Sequence, residues 1–152
     1  DVDADGEISW DTDDNSLRGY DGSNQVVVGQ KMKIINATIT KPLDLEEADT
    51  LPLWQNRTGF TFNISAIYTS ADVDDTDLTL SECSYTDLSS LTTIEGITIS
   101  TDGTDVYYND LTASIDHTAI EDGNMIVFDN DASDDPAYVH IVIVGYLDAD
   151  VA

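Results

Sequence analysis

The chain has 152 residues, of which 31 are acidic and 5 basic, for a net charge of −26 with neutral histidines. A field of that sign repels phosphate backbones and anionic bilayers, which sets aside nucleic acid and membrane surfaces as partners. A hydrophobic content of 41% suffices for a packed core at single-domain length, and no run of about 18 apolar residues is present to span a membrane.

The first residues, "DVDADGEI", place acids at alternate positions, then a glycine. This is the front half of a calcium loop: side-chain oxygens from Asp1, Asp3 and Asp5, a bend at Gly6, and a backbone carbonyl at Glu7. The twelfth position is Thr12 instead of a bidentate glutamate, so Asp11 or Asp13 would have to close a looser site. An acidic, solvated tail is the competing reading. A start at Asp1, with no basic and then apolar leader, leads to the expectation of a processed product or a piece of something longer.

Residues 7 to 28, "EISWDTDDNSLRGYDGSNQVVV", read as two short strands around an acidic turn, with Asp21-Gly22 suited to a tight reversal. Trp10, Leu17 and Tyr20 carry large apolar area, and Val26, Val27 and Val28 follow, yet so short a segment cannot bury a face of its own. These side chains are therefore expected either at a subunit interface or folded back onto the rest of the chain. Residues 1–30 form a hairpin and assembly segment in this reading, and residues 31–152 the main domain.

From residue 31 onward the apolar spacing is almost entirely period two, the mark of strands with one buried face. "KMKIINATIT", "LTLSE" and "TTIEGITIS" are rich in Thr, Ile and Leu, and "FTFNI" puts Phe60, Phe62 and Ile64 on one side. "PLDLEEADTL" hints at one helical turn or a loop around Pro42, Leu45 and Ala48. Trp54, in "LPLWQ", joins the candidate interface residues. "MIVF" and "YVHIVIVGYL" are more continuously apolar, as for central strands covered on both faces. Acidic or Gly- and Asn-bearing breaks separate them: "ADVDDTD", "STDGTD", "IEDGN", "DNDASDDPA". About eight strands at spacings near ten residues predict an all-β, two-sheet β-sandwich, jelly-roll-like, with a short N-terminal β-hairpin extension.

Other constellations are weaker. Asp72, Asp74, Asp75 and Asp77, and again Asp129, Asp131, Asp134 and Asp135, are loop clusters that hold a hard cation or simply stay wet. Paired acids alone do not define a glycosidase where acids are this abundant, and Trp54, Tyr107 and Tyr108 are the usual aromatics of a strand core. His117 and His140 have no Cys or His at ligand spacing, and no Gly-x-Ser-x-Gly elbow exists. His140 reads as a strand residue with a satisfied ring. Cys83, the only cysteine, reads as a small, half-buried strand residue. Sequons at Asn36, Asn56 and Asn63 are candidate glycosylation sites if the host modifies surface proteins. The charge itself has three open explanations: work in high salt, where screening shortens self-repulsion, divalent-cation binding, or solubility at high display density.

The stretch "SWDTDDNSLRGYDGSNQVV" resembles a short module of bacteriophage tail fibres and related virion proteins. Trp10, Asp11, Thr12, Asn15, Leu17, Tyr20, Asp21, Gly22 and Ser23 match it, and Arg18-Gly19 departs where a bulkier pair is commoner. The remainder, from "LPLWQNRTGFTFNISAIYTS" to "YVHIVIVGYL", is similar to C-terminal sandwich domains of phage-like structural proteins. There a Trp/Phe strand, an "ITxI" strand, an "xEC" strand and a "VxIxVxY" strand follow in order. The resemblance implies a hairpin joining a shaft to a distal domain, often in trimers, and implies nothing about a reaction.

The expectation is thus a non-enzymatic structural protein outside the cell or on a virion surface, a tail-fibre domain or capsid decoration. It would need no cofactor, with Ca2+ as an optional ligand. Its partners would be copies of itself, as a trimer or polymer, and other virion or surface proteins. Two alternatives stand beside it. One is a pilus-like filament subunit that donates "NQVVVGQKMKII" to the next subunit's sheet. The other is a calcium-dependent adhesin domain that recognises a glycan receptor.

Overall fold

The computed structural model describes residues 8–11, 16–20, 25–40, 50–101, 107–111, 114–130 and 136–148, and side chains within 32–40, 50–100, 110–111, 114–128 and 136–147. Every regular element in these residues is a strand. They are β1 (Ile8–Asp11), β2 (Ser16–Tyr20), β3 (Gln25–Thr40), β4 (Leu51–Gln55), β5 (Thr61–Ala71) and β6 (Thr76–Ser84). After them come β7 (Asp87–Thr101), β8 (Tyr107–Leu111), β9 (Ala119–Ile120), β10 (Asn124–Asn130) and β11 (Tyr138–Asp148).

The pairing is that of a hairpin rolled up on itself. Setting aside β1, β2 and the short β9, the first strand pairs with the last (β3 with β11) and the second with the next to last (β4 with β10). The sequence continues inward with β5 on β8 and β6 on β7, all antiparallel. That nesting is the jelly-roll arrangement. It yields two sheets, β3-β11-β5-β8 and β4-β10-β6-β7, with β9 beside β5. The far end of β7 also pairs with β8, at Ser100↔Tyr108 and Thr101↔Tyr107, and joins the sheets at one corner.

Between the sheets lies one apolar core. Ile35, Phe62, Ile67, Ile141 and Ile143 come from the first sheet, and Leu78, Leu80, Ile97, Ile126 and Phe128 from the second. The period-two pattern is what delivers them: Phe62 and Ile64 are buried while Thr61 and Asn63 are not fully so, and Phe60 packs at the core's edge. A bulge at Ser65, where the register with β11 slips between Val144 and Gly145, resets the alternation so that Ile67 and Ala71 point inward again. The breaks fall where turn chemistry places them. Asp75 holds φ 55 in the β5–β6 turn and Gly123 φ 92 in the β9–β10 turn, conformations that Asp tolerates and Gly adopts freely. β4 closes the second sheet as an edge strand, which suits Pro52, a residue without an N–H to give.

Two expectations change. β10 is buried on both faces from Ile126 to Phe128, as its apolar run predicts. β11 is not: Val139, Ile141 and Ile143 are buried, but the alternating Val142, Val144 and Tyr146 are only half-covered. It is central because β3 and β5 flank it, and its outer side faces open space among the described residues. The second change concerns the proposed donor stretch. Residues 25–35 of it lie in β3, paired with β2 over Gln25–Gln30 and with β11 over Lys31–Thr40. Within one chain it is paired along its length with β2 and β11. β3 also runs unbroken across residues 30 and 31, so the hairpin β1-β2 and the sandwich share a strand. The helix hint at 42–51 lies largely outside the described residues, and Leu51 itself begins β4.

Candidate functional site

The outer face of β3-β11-β5 stands apart from the rest of the surface. Alternation sends Met32, Ile34, Asn36, Thr38 and Thr40 outward on β3, and Met32 and Ile34 are 68% and 55% exposed. Opposite them on β11 are Tyr146, Val144, Val142, His140 and Tyr138, in the register Met32↔Tyr146 and Ile34↔Val144. Val142 in turn faces Tyr68 on β5, itself 40% exposed. Large apolar side chains thus lie in adjacent rows on a surface open to solvent, beyond the scattered exposure that soluble proteins ordinarily show. His140 Nδ1 and the Thr38 hydroxyl meet across the strands at 2.8 Å, the satisfied strand histidine that its setting predicts. A smaller apolar group, Tyr85, Leu88 and Leu91, is exposed at the β6–β7 hairpin.

Inside the molecule the polar groups are structural clamps. Asn56 is fully buried. Its Nδ2 donates to the carbonyls of Phe60 (2.8 Å) and Ile120 (2.9 Å), and its Oδ1 accepts from the Thr58 hydroxyl at 2.7 Å. Its own backbone N–H donates to the Asn124 carbonyl and its carbonyl accepts from the Gly123 N–H. At the candidate glycosylation site Asn56 both amide protons are spent inside the protein, and a sugar would displace one of them. Asn36 is exposed at the centre of the open face, and Asn63 on β5 is half-buried.

Glu82, 7% exposed, faces inward from β6 and binds three partners. Its Oε2 meets His117 Nε2 at 2.6 Å, and its Oε1 accepts from Asn124 Nδ2 (2.8 Å) and the Glu121 N–H (3.2 Å). The His117 N–H donates to the Ile94 carbonyl. This pair ties the β8–β9 connection and the β9–β10 turn to β6 and β7. No spacing in the sequence announces it, because Glu82 and His117 meet only once the sandwich closes. Beside it Cys83 is buried. Burial, then the charges of Glu82 and Asp87, pushes its thiol pKa above the ordinary cysteine value.

Trp54 has a place within its own chain. Its ring packs edge-on against Phe62 at 5.2 Å between centroids, and Lys33 Nζ sits 5.8 Å above it. These contacts with β5 and β3 leave Trp54 half-buried. Trp10, Leu17 and Tyr20 lie in β1 and β2, with Trp10 opposite Leu17, and Val26, Val27 and Val28 lie in β3. Their side chains are outside the described residues. So are Asp1, Asp3, Asp5 and Glu7, and the side chain of Asp11. Among the described residues no group of three or more His, Cys, Asp or Glu is gathered as a metal would require. Asp72 instead accepts the Tyr138 N–H and Asp77 the Thr98 hydroxyl, at 3.2 and 2.6 Å. No helix in these residues is long and apolar enough to cross a membrane. A scan of family models and searches of curated proteins and of solved structures find no match to the chain.

Proposed function

We propose that this chain is a non-enzymatic structural subunit of a virion appendage or capsid decoration, working outside the cell by association with copies of itself. The observation that carries the reading is the open face of β3-β11-β5, apolar and free of formal charge on a molecule of −26. Such a face is costly to leave wet: covering a large apolar side chain contributes about 1.5–3 kcal/mol. The jelly-roll pairing supports the reading, since the architecture recurs in viral capsid and lectin domains. A fold alone does not assign a function, and the face is what selects assembly here. The hairpin's likeness to the tail-fibre module points the same way.

The test is light scattering coupled to size exclusion, with negative-stain microscopy, over a wide range of protein concentration and salt. Closed oligomers are expected. A chain that remains monomeric under every condition overturns the proposal, and open-ended homopolymers would transfer it to a filament subunit.

A further inference from the structure

We infer that the partner seated on the open face is a second copy of this chain, packed sheet against sheet; the inference rests on the assembly reading above and names its contact. Two copies each carry −26, so a contact made through ordinary surface brings acids against acids, and like charges juxtaposed across an interface cost several kcal/mol. The outward positions of β3 from Met32 to Thr40 and of β11 from Tyr138 to Tyr146 hold no Asp, Glu, Lys or Arg. Tyr68 and Ser70 continue the uncharged surface on β5, with Ala66 buried beside them. Among the described side chains, acids resume at its rim, at Asp110 opposite Tyr68 and at Asp72 beside Tyr138. A cationic partner would be drawn to the acidic remainder of the molecule and gains nothing here. A partner of the same sign meets no carboxylate at these positions.

Geometry agrees. Rows of Met32, Ile34, Val142 and Val144 standing on a pleated surface interdigitate with a like surface as the inner faces of a sandwich do. Three strands of this length present about 400 Å² in plan, from strand spacing and rise. That is roughly half of what a standard interface uses on each partner, and places the contact in the transient class. It becomes durable when several such contacts act together in one particle. Asn36 lies in the middle of the face, so a glycan on Asn36 and a seated copy exclude each other.

The experiment is sedimentation equilibrium of the unglycosylated chain at high protein concentration and rising NaCl. It compares the wild type with Ile34→Asp, Val144→Asp and, as a control on the exposed hairpin tip, Leu88→Asp. The expected result is self-association that tightens with salt, because screening relieves repulsion between the two bodies while the uncharged contact is unaffected. Ile34→Asp and Val144→Asp should each weaken it at least about a hundredfold, with circular dichroism unchanged, and Leu88→Asp should leave it intact. Association that survives both face variants, or that loosens as salt rises, overturns this inference and leaves the assembly reading standing. A wild type that never associates overturns both.

Discussion

The ring of Phe62 lies across Gly145 on the neighbouring strand, so close that a Cβ at residue 145 would stand 2.6 Å from the ring edge and collide with the Asn63 carbonyl. Glycine is required there for space and not for a turn. Its absent side chain leaves room for the Phe62 ring against β11, and Phe62 in turn gives Trp54 its edge-on partner.

Gly145→Ala should therefore lower stability by about 1–3 kcal/mol, the usual penalty of overpacking a close-packed interior. Urea denaturation would read this as a lower midpoint at unchanged slope. Combining it with Phe62→Leu should cost less than the sum of the single changes, because the smaller side chain removes the ring's part of the clash and leaves only that with the Asn63 carbonyl. Strict additivity would mean that the two residues do not share that contact.

Asn56→Ala removes a buried amide that serves the Phe60 and Ile120 carbonyls and the Thr58 hydroxyl. Leaving such groups unpaired is expected to cost about 2–4 kcal/mol, the sum of more than one orphaned partner. Thermal unfolding followed by circular dichroism checks the loss. Glycopeptide mapping of material from a glycosylating host should find Asn56 bare, whatever the state of Asn36 and Asn63.

Glu82→Leu and His117→Ala test which half of their pair matters. Leucine at 82 takes the acceptor from the Glu121 N–H and the Asn124 amide in a part-buried setting, at about 1–2 kcal/mol. Alanine at 117 removes a side chain that is 32% exposed, and solvent screening holds its share to about 1 kcal/mol or less. The midpoint in guanidinium should fall further for Glu82→Leu than for His117→Ala. The reverse order would show that Glu82's backbone and amide partners contribute little.

Cys83 should be inert in the native chain. Burial and the adjacent carboxylates of Glu82 and Asp87 raise its pKa, so the reactive thiolate is scarce at mildly alkaline pH, and the sulfur is also covered. Iodoacetamide at pH 8 should label the folded protein slowly and the denatured protein quickly. Comparable rates would mean that this end of β6 opens freely.

The strand periods were legible from the sequence because nearly every strand of this fold keeps one face in the core. Phe62 with Ile64 and Ile35 with Ile39 follow directly from alternation, and the nested pairing is an outcome consistent with the evenly spaced breaks. The continuous apolar run of β11 led to an expectation of cover on both faces, since hydrophobicity alone does not say whether the second cover comes from this chain. What stayed hidden were meetings between distant positions. The carboxylate of Glu82 finds His117 across 35 residues, and the Asn56 sequon looks like any surface tripeptide until the β9–β10 turn closes over it. A partner that arrives only through tertiary folding leaves no mark in local spacing.

β3 passes from the hairpin ladder into the sandwich ladder without a break, holding β2 along Gln25–Gln30 and β11 along Lys31–Thr40. A tug applied to the hairpin thus travels down the axis of one strand and loads the β3–β11 hydrogen bonds sideways, all sharing the force together. Tearing them one by one would require pulling at right angles. Force on the hairpin is thus resisted by the β3–β11 ladder as a whole.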